Sequence, residues 1–213
     1  MKIFKEKHAA IFDMDGTIVN NEPLKGEALA ETCRRHGGNS KGDIYKDVLG
    51  CKYEIVRTYF CQNAGISIDD KTFDTTLKEV YLDLLDKEVE LTDGAGEFLE
   101  KLKTDNQKTG LVSSAHKWQV ASVLDRLSIG QIFDLWITRE DVQNHKPSPD
   151  AYLLALDKLG LQANDVIVFE DSSSGLTAAR EAGCQVIAIR HNYNQKHDFS
   201  SALREIESFR EIL

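Results

Sequence analysis

The segment AAIFDMDGT, residues 9–17, restricts this chain more than any other stretch. The apolar run Ala9-Ala10-Ile11-Phe12 stops at Asp13, and Asp15, Gly16 and Thr17 follow. A short apolar run broken so sharply predicts a buried strand. The break sets two acids at the strand's carboxyl end, where open α/β sheets bind ligands. Gly16 permits the tight turn that aims both into one pocket. Asp and Gly are also ordinary turn residues, so the string alone fits a plain turn as well.

Two carboxylates so placed suit chemistry at phosphorus. One can be a nucleophile, while the other lends a proton to a leaving oxygen and later takes one from water. Two anions repel a phosphate dianion, so the site also calls for a cation and a positive side chain. Mg²⁺ takes oxygen ligands and shares them between one or two carboxylates and a substrate phosphate. The motif therefore predicts a further acid and a Lys or Arg elsewhere along the same edge.

The rest of the chain shows how those residues could reach that edge. Residues 20–92 read as almost entirely helical, with Pro23 opening a segment that closes at Gly37-Gly38, and further stops at Gly50 and Gly65. The last segment places Phe73, Leu77, Val80, Tyr81, Leu84 and Leu85 on one amphipathic stripe. Ile55, Val56, Tyr59 and Phe60 are expected to share a face of the segment before it. A run of helices directly after one strand predicts a separate helical subdomain. From Leu91 onward, helices alternate with short strands at KTGLVSS, DLWIT, DVIVFED and CQVIAIR, and SSALREIESFREIL is expected to be a terminal helix. That alternation predicts a parallel sheet covered by helices. Right-handed crossovers put all the carboxyl ends on one edge.

Three groups at that edge answer the first motif. Ser113 and Ser114 end the second strand, where a hydroxyl and free helix amides can bind phosphate oxygens. Lys146 lies in HKPSPD, a loop stiffened by Pro147 and Pro149, two of the chain's three prolines. Glu170-Asp171 follows the apolar run Val166–Phe169 and repeats the acid pair. Each has a bland alternative, either helix capping or a solvated surface lysine. Coincidence is the poorer account of the whole ordered set.

Composition narrows the partners. A net charge of −9 argues against a nucleic-acid or anionic-membrane surface. No apolar stretch approaches the roughly 20 residues needed to span a bilayer. The N-terminal MKIFKEKH has no long apolar secretion segment, and the four cysteines have no CxxC spacing, so a reducing cytoplasm is expected. A monomer is expected, with a dimer left open.

In its four motifs and their order, the chain resembles the haloacid dehalogenase superfamily of phosphotransferases. The resemblance implies a Rossmann-like α/β core at 1–19 and 93–213, discontinuous around an all-helical cap at 20–92. It implies that Asp13 is the nucleophile forming an aspartyl-phosphate and that Asp15 is the general acid, then base. It further implies that Ser113 and Lys146 hold the phosphoryl group, with amides near Met14 and Ser114. Mg²⁺ would be bound by Asp13, Asp171 and the Asp15 carbonyl, with Glu170 acting through water or a supporting contact. Dehalogenase members lack the second acid of the first motif, so Asp15 argues against carbon–halogen cleavage. The pattern is most similar to the branch holding sugar-phosphate phosphatases and β-phosphoglucomutase, which implies a small phosphorylated metabolite as the partner. Its mutases carry a His after the first motif and a Lys and an Arg in the cap. Here Lys25, Val80 and Tyr53 stand at those positions in turn, which favours a phosphatase over a mutase. A non-catalytic phosphate-binding regulator is the alternative of another class, but both motif acids are present. Asn21, Lys25, Lys52, Arg57, His116 and His145 are the polar candidates for substrate choice.

Overall fold

A computed structural model describes residues 7–213, which form two units: residues through Asn20 with Glu90–Leu213, and Asn21–Val89. The first unit is built on a six-stranded parallel sheet. Its strands are β1 (Ala9–Phe12), β2 (Lys108–Val112), β3 (Leu135–Ile137), β4 (Val166–Glu170), β5 (Gln185–Ile189) and β6 (Arg204–Ile206), in spatial order β3-β2-β1-β4-β5-β6. The chain steps outward from β1 to β2 and β3, then returns to the other side of β1 with β4. That reversal makes the gap between β1 and β4 the topological switch point, where ligands of such sheets bind. Phe12 pairs in register with Leu111 on one side and Phe169 on the other.

Alternation along β1 and β4 divides the core between two faces. Phe12 and Phe169 stack at 4.9 Å, with Phe98 of α4 (Ala95–Thr104) and Phe209 packed around them. Ile11 and Val168 join a second cluster with Tyr152 and Ala155 of α6 (Asp150–Leu159) and Leu176 of α7 (Ser173–Glu181). Each large side chain fully buried in this way contributes about 1.5–3 kcal/mol relative to exposure. The remaining helix of this unit is α5 (Lys117–Arg126).

The second unit comprises α1 (Glu22–Arg35), a 3₁₀ turn at Gly42–Asp47, α2 (Tyr53–Ala64) and α3 (Asp70–Glu88). Pro23 occupies the first turn of α1, where its missing N–H costs nothing. Asp69 caps α3 by accepting from Thr72 N at 3.0 Å. In the predicted stripe Phe73, Val80, Tyr81 and Leu85 are buried, whereas Leu77 and Leu84 are half-buried. No helix among the described residues is long and apolar enough to cross a membrane.

Two expectations need correction. The terminal helix over 200–213 is instead strand β6 followed by a 3₁₀ turn at Phe209–Ile212. Arg204–Ile206 satisfies the open edge of β5, with Arg190 N donating to Ile206 O at 2.7 Å, and the turn then buries Phe209 among the phenyl rings. Sheet pairing and burial together outweigh helix propensity. On α2, Ile55 is exposed while Val56 and Phe60 carry the buried face.

Candidate active site

Asp13 is the first residue past β1, and its backbone N–H still donates to Phe169 O at 2.9 Å. The chain then turns tightly, with Ile18 and Val19 both donating to Met14 O and Gly16 donating to Val19 O. Gly16 has φ +76°, and a Cβ there would lie 2.3 Å from Asp171 Oδ2. Only glycine meets both the left-handed backbone and that approach.

The switch point brings the distant motifs together. Lys146 Nζ lies 2.5 Å from Asp13 Oδ1, 2.6 Å from Glu170 Oε1 and 3.1 Å from Val112 O. Three acceptors thus match the three hydrogens of the ammonium. The loop that carries Lys146 is pinned by Asp150 at the start of α6. Asp150 accepts from Ser148 Oγ at 2.6 Å and from Asn144 Nδ2 at 2.9 Å.

Glu170 is fully buried and accepts on both oxygens. Oε1 takes Lys146 and the Tyr152 hydroxyl at 2.7 Å, while Oε2 takes Asp171 N, Ser172 N and Ser172 Oγ. Gly175 lets α7 pass against this carboxylate, because a Cβ there would sit 1.9 Å from Glu170 Oε1. Asp171 receives His191 Nε2 on Oδ2 at 2.9 Å, and Asn194 Nδ2 donates to its backbone oxygen at 2.8 Å.

The electrostatics are those of too many anions. Burial pushes the Asp13 carboxyl well above its ordinary range. Lys146 pulls it back down, and the charges of Glu170, Asp171 and Asp15 push it further up. For Lys146, burial favours the neutral amine, but Asp13 and Glu170 outweigh it and raise the ammonium's pKa. Carboxylate oxygens of Asp13, Glu170 and Asp171 lie within 4.8 Å of one another. Hard oxygen donors with an excess of negative charge fit a divalent cation such as Mg²⁺. Glu170 already accepts five hydrogen bonds, which link it to Lys146, Tyr152 and the start of α7.

Of the residues expected from sequence, Asp13, Lys146, Glu170 and Asp171 meet directly. Asp15 is half-buried in the adjoining turn, close enough for its charge to act on Asp13. Ser113 is buried one residue beyond β2, its Oγ accepting from Ala115 N at 3.0 Å, while Ser114 is exposed. Met14 is buried. His116 pairs with Glu140 at 2.9 Å, and His145 is half-buried. Within the helical unit, Lys25 pairs with Glu22 at 3.1 Å and Arg57 with Asp70 at 2.6 Å, and Lys52 is exposed ahead of α2. The sequence motifs do not single out Tyr152, His191 and Asn194. The signal for His191 is its place just past the end of β5, on the same edge as the acids.

A parallel sheet that gathers an acid, a lysine and a further acid pair at its switch point marks an open-sheet α/β protein of the enzyme type. Residues 10–189 match the haloacid dehalogenase-like hydrolase family, and the chain belongs to it. Validoxylamine A 7'-phosphate phosphatase of Streptomyces hygroscopicus subsp. limoneus is 31% identical over 205 residues, covering 94% of this chain and 95% of that one. The phosphorylated carbohydrates phosphatase of Thermotoga maritima is 29% identical over 187 residues, 87% of each chain. The structure of CbbY from Rhodobacter sphaeroides in complex with phosphate superposes with a TM-score of 0.84 at 25% identity, over 97% of this chain and 96% of that one.

Proposed function

We propose that this hydrolase is a Mg²⁺-dependent phosphatase that cleaves a small phosphate monoester of the sugar-phosphate class through a phosphoryl group carried on Asp13. The observation that carries the reading is the Asp13 carboxylate held against Lys146 at the switch point, with Asp171 and Glu170 beside it. Phosphatase relatives that span most of the chain support the reaction type; one is named for validoxylamine A 7'-phosphate and the other for phosphorylated carbohydrates.

The chain's residues then have these parts. An oxygen of Asp13 attacks phosphorus as the ester oxygen departs. Asp15 gives that oxygen its proton and later takes one from the water that hydrolyses the acyl phosphate. Ser113 and the amides around Met14 and Ser114 hold the phosphoryl oxygens, and Lys146 holds Asp13 in line. Asp13, Asp171 and the Asp15 carbonyl would hold Mg²⁺, which when bound supplies positive charge to Asp13 and to the phosphate. Positioning and neutralised charge are what phosphoryl transfer chiefly requires.

The test is phosphate release with Mg²⁺ across sugar phosphates, nucleotides and phosphoglycolate-like acids. Asp13→Asn should abolish release while the fold persists, and Asp15→Asn should slow it about 10²–10⁴-fold. Turnover retained by D13N removes the nucleophile. Interconversion of hexose 1- and 6-phosphates with little free phosphate would make the enzyme a mutase instead.

A further inference from the structure

We propose that His191 is a positioning residue that fixes the Asp171 carboxylate for the divalent cation; the inference rests on the metal reading given above. The imidazole is held from both sides. Its Nδ1 lies 3.1 Å from Tyr193 N, and that backbone group can only donate. Nδ1 therefore accepts, the ring proton sits on Nε2, and Nε2–H donates to Asp171 Oδ2 at 2.9 Å. The tautomer is thus set by the chain itself rather than by solvent.

The loop that presents the ring is fastened to its target. Asn194 is fully buried; its Oδ1 accepts from His191 N at 3.0 Å, and its Nδ2 donates to Asp171 O at 2.8 Å and Ile189 O at 2.7 Å. One amide therefore ties the end of β5, the histidine and the backbone of Asp171 into a single piece. Gly16 packs against the His191–Asp171 contact, so closely that a Cβ there would lie 2.3 Å from Asp171 Oδ2 and 3.0 Å from His191 Nε2. The carboxylate oxygen thus meets both an N–H donor and a close backbone turn.

That grip has work to do against repulsion. The charge of Asp171 opposes ionisation of Asp13, so the two carboxylates push each other apart. Nothing intrinsic to an aspartate side chain would keep it facing two other acids. The histidine's N–H fixes the rotation of the group and so preorganises it for a cation, as outer contacts of metal ligands commonly do.

Binding of Mn²⁺, followed by loss of the free-ion signal in electron paramagnetic resonance, tests this without recourse to turnover. His191→Leu keeps bulk and removes the donor; His191→Gln retains an N–H near the position of Nε2. The expected result is about 10–100-fold weaker Mn²⁺ binding for H191L, with H191Q close to wild type. H191L that binds as wild type does, or H191Q as weak as H191L, overturns the role. The unaltered protein gives an independent check through the ¹⁵N shifts of its imidazole. The Nε2–H tautomer supports the assignment and the Nδ1–H tautomer overturns it, even if H191L does not fold. Wild-type protein that takes up no Mn²⁺ removes the metal reading and the role with it, while leaving the tautomer result intact.

Discussion

Replacing Lys146 with Met should destabilise the protein sharply, and by an amount that shrinks as pH falls. Met nearly matches the aliphatic stem, so the change removes chiefly the ammonium. That group lies 2.5 Å from Asp13 and 2.6 Å from Glu170, and the three side chains are only 6%, 11% and 0% exposed. Removing one partner of a buried ion pair costs about 3–5 kcal/mol, because the other charge stays buried. Glu170 keeps Tyr152, Ser172 and two backbone donors, so losing a second pair should not double the figure. At about 2–4 °C per kcal/mol for a chain of this size, Tm should fall by roughly 6–20 °C.

The pH dependence follows from Asp13. Its carboxyl is raised by burial, and Lys146 is the group that opposes the rise, so K146M should raise it further. An acid with a folded pKa above its unfolded one binds its proton more tightly when folded. Its destabilising contribution is complete above the folded pKa and is relieved as pH falls toward the unfolded value of roughly 4. Urea denaturation of wild type, K146M, D13N and K146M/D13N from mildly alkaline to mildly acidic pH measures this, and the four proteins close a double-mutant cycle. The double variant should recover part of the loss. K146M with a wild-type midpoint at alkaline pH, or a deficit that widens on acidification, would refute the reasoning.

Two further substitutions probe the supports of the site. Gly16→Ala must place a side chain at φ +76° and 2.3 Å from Asp171 Oδ2; the backbone alone should cost about 1–2 kcal/mol. Mn²⁺ binding should weaken alongside the thermal shift, and undiminished binding by G16A would show that Asp171 is not set by that approach. Tyr152→Phe deletes one of the two donors at Glu170 Oε1 and should cost about 1.5–3 kcal/mol, the range for a hydrogen bond to a charged group. The urea midpoint should drop at unchanged slope, and an unmoved midpoint would sink the idea that the hydroxyl holds Glu170 in place.

The parallel sheet was legible because its four interior strands are short apolar runs ending in polar residues, a pattern that burial on both faces imposes. β6 was not. Arg204–Ile206 has no apolar run of its own and is a strand only because β5 offers it an unpaired edge, a fact about a neighbour. Ile206 and Phe209 also fit a helical spacing, and nothing local tells that spacing apart from two separate burials. Ile55 failed in the same way. The segment marks a helical face, but only the packing decides which end of a broad face is covered.

The site divides along a similar line, and the division explains why Tyr152 and His191 carry no mark in the sequence. Asp13, Lys146, Glu170 and Asp171 stand out in sequence because a buried strand ending in acids, or a lysine just ahead of two closely spaced prolines, is an uncommon way to satisfy ordinary folding needs. A tyrosine on the inner face of α6 is an ordinary core residue, and a histidine in a polar loop is an ordinary surface one. Each gains a function only from what lies opposite it: Glu170 across 18 positions of chain, Asp171 across 20. Residues that react can be read from the chemistry a site demands. Residues that hold them still have no such signature, because a hydrogen bond to a carboxylate asks only for an N–H or O–H at the right place. Supplying that place is the work of the sheet, which delivers the ends of β4 and β5 side by side.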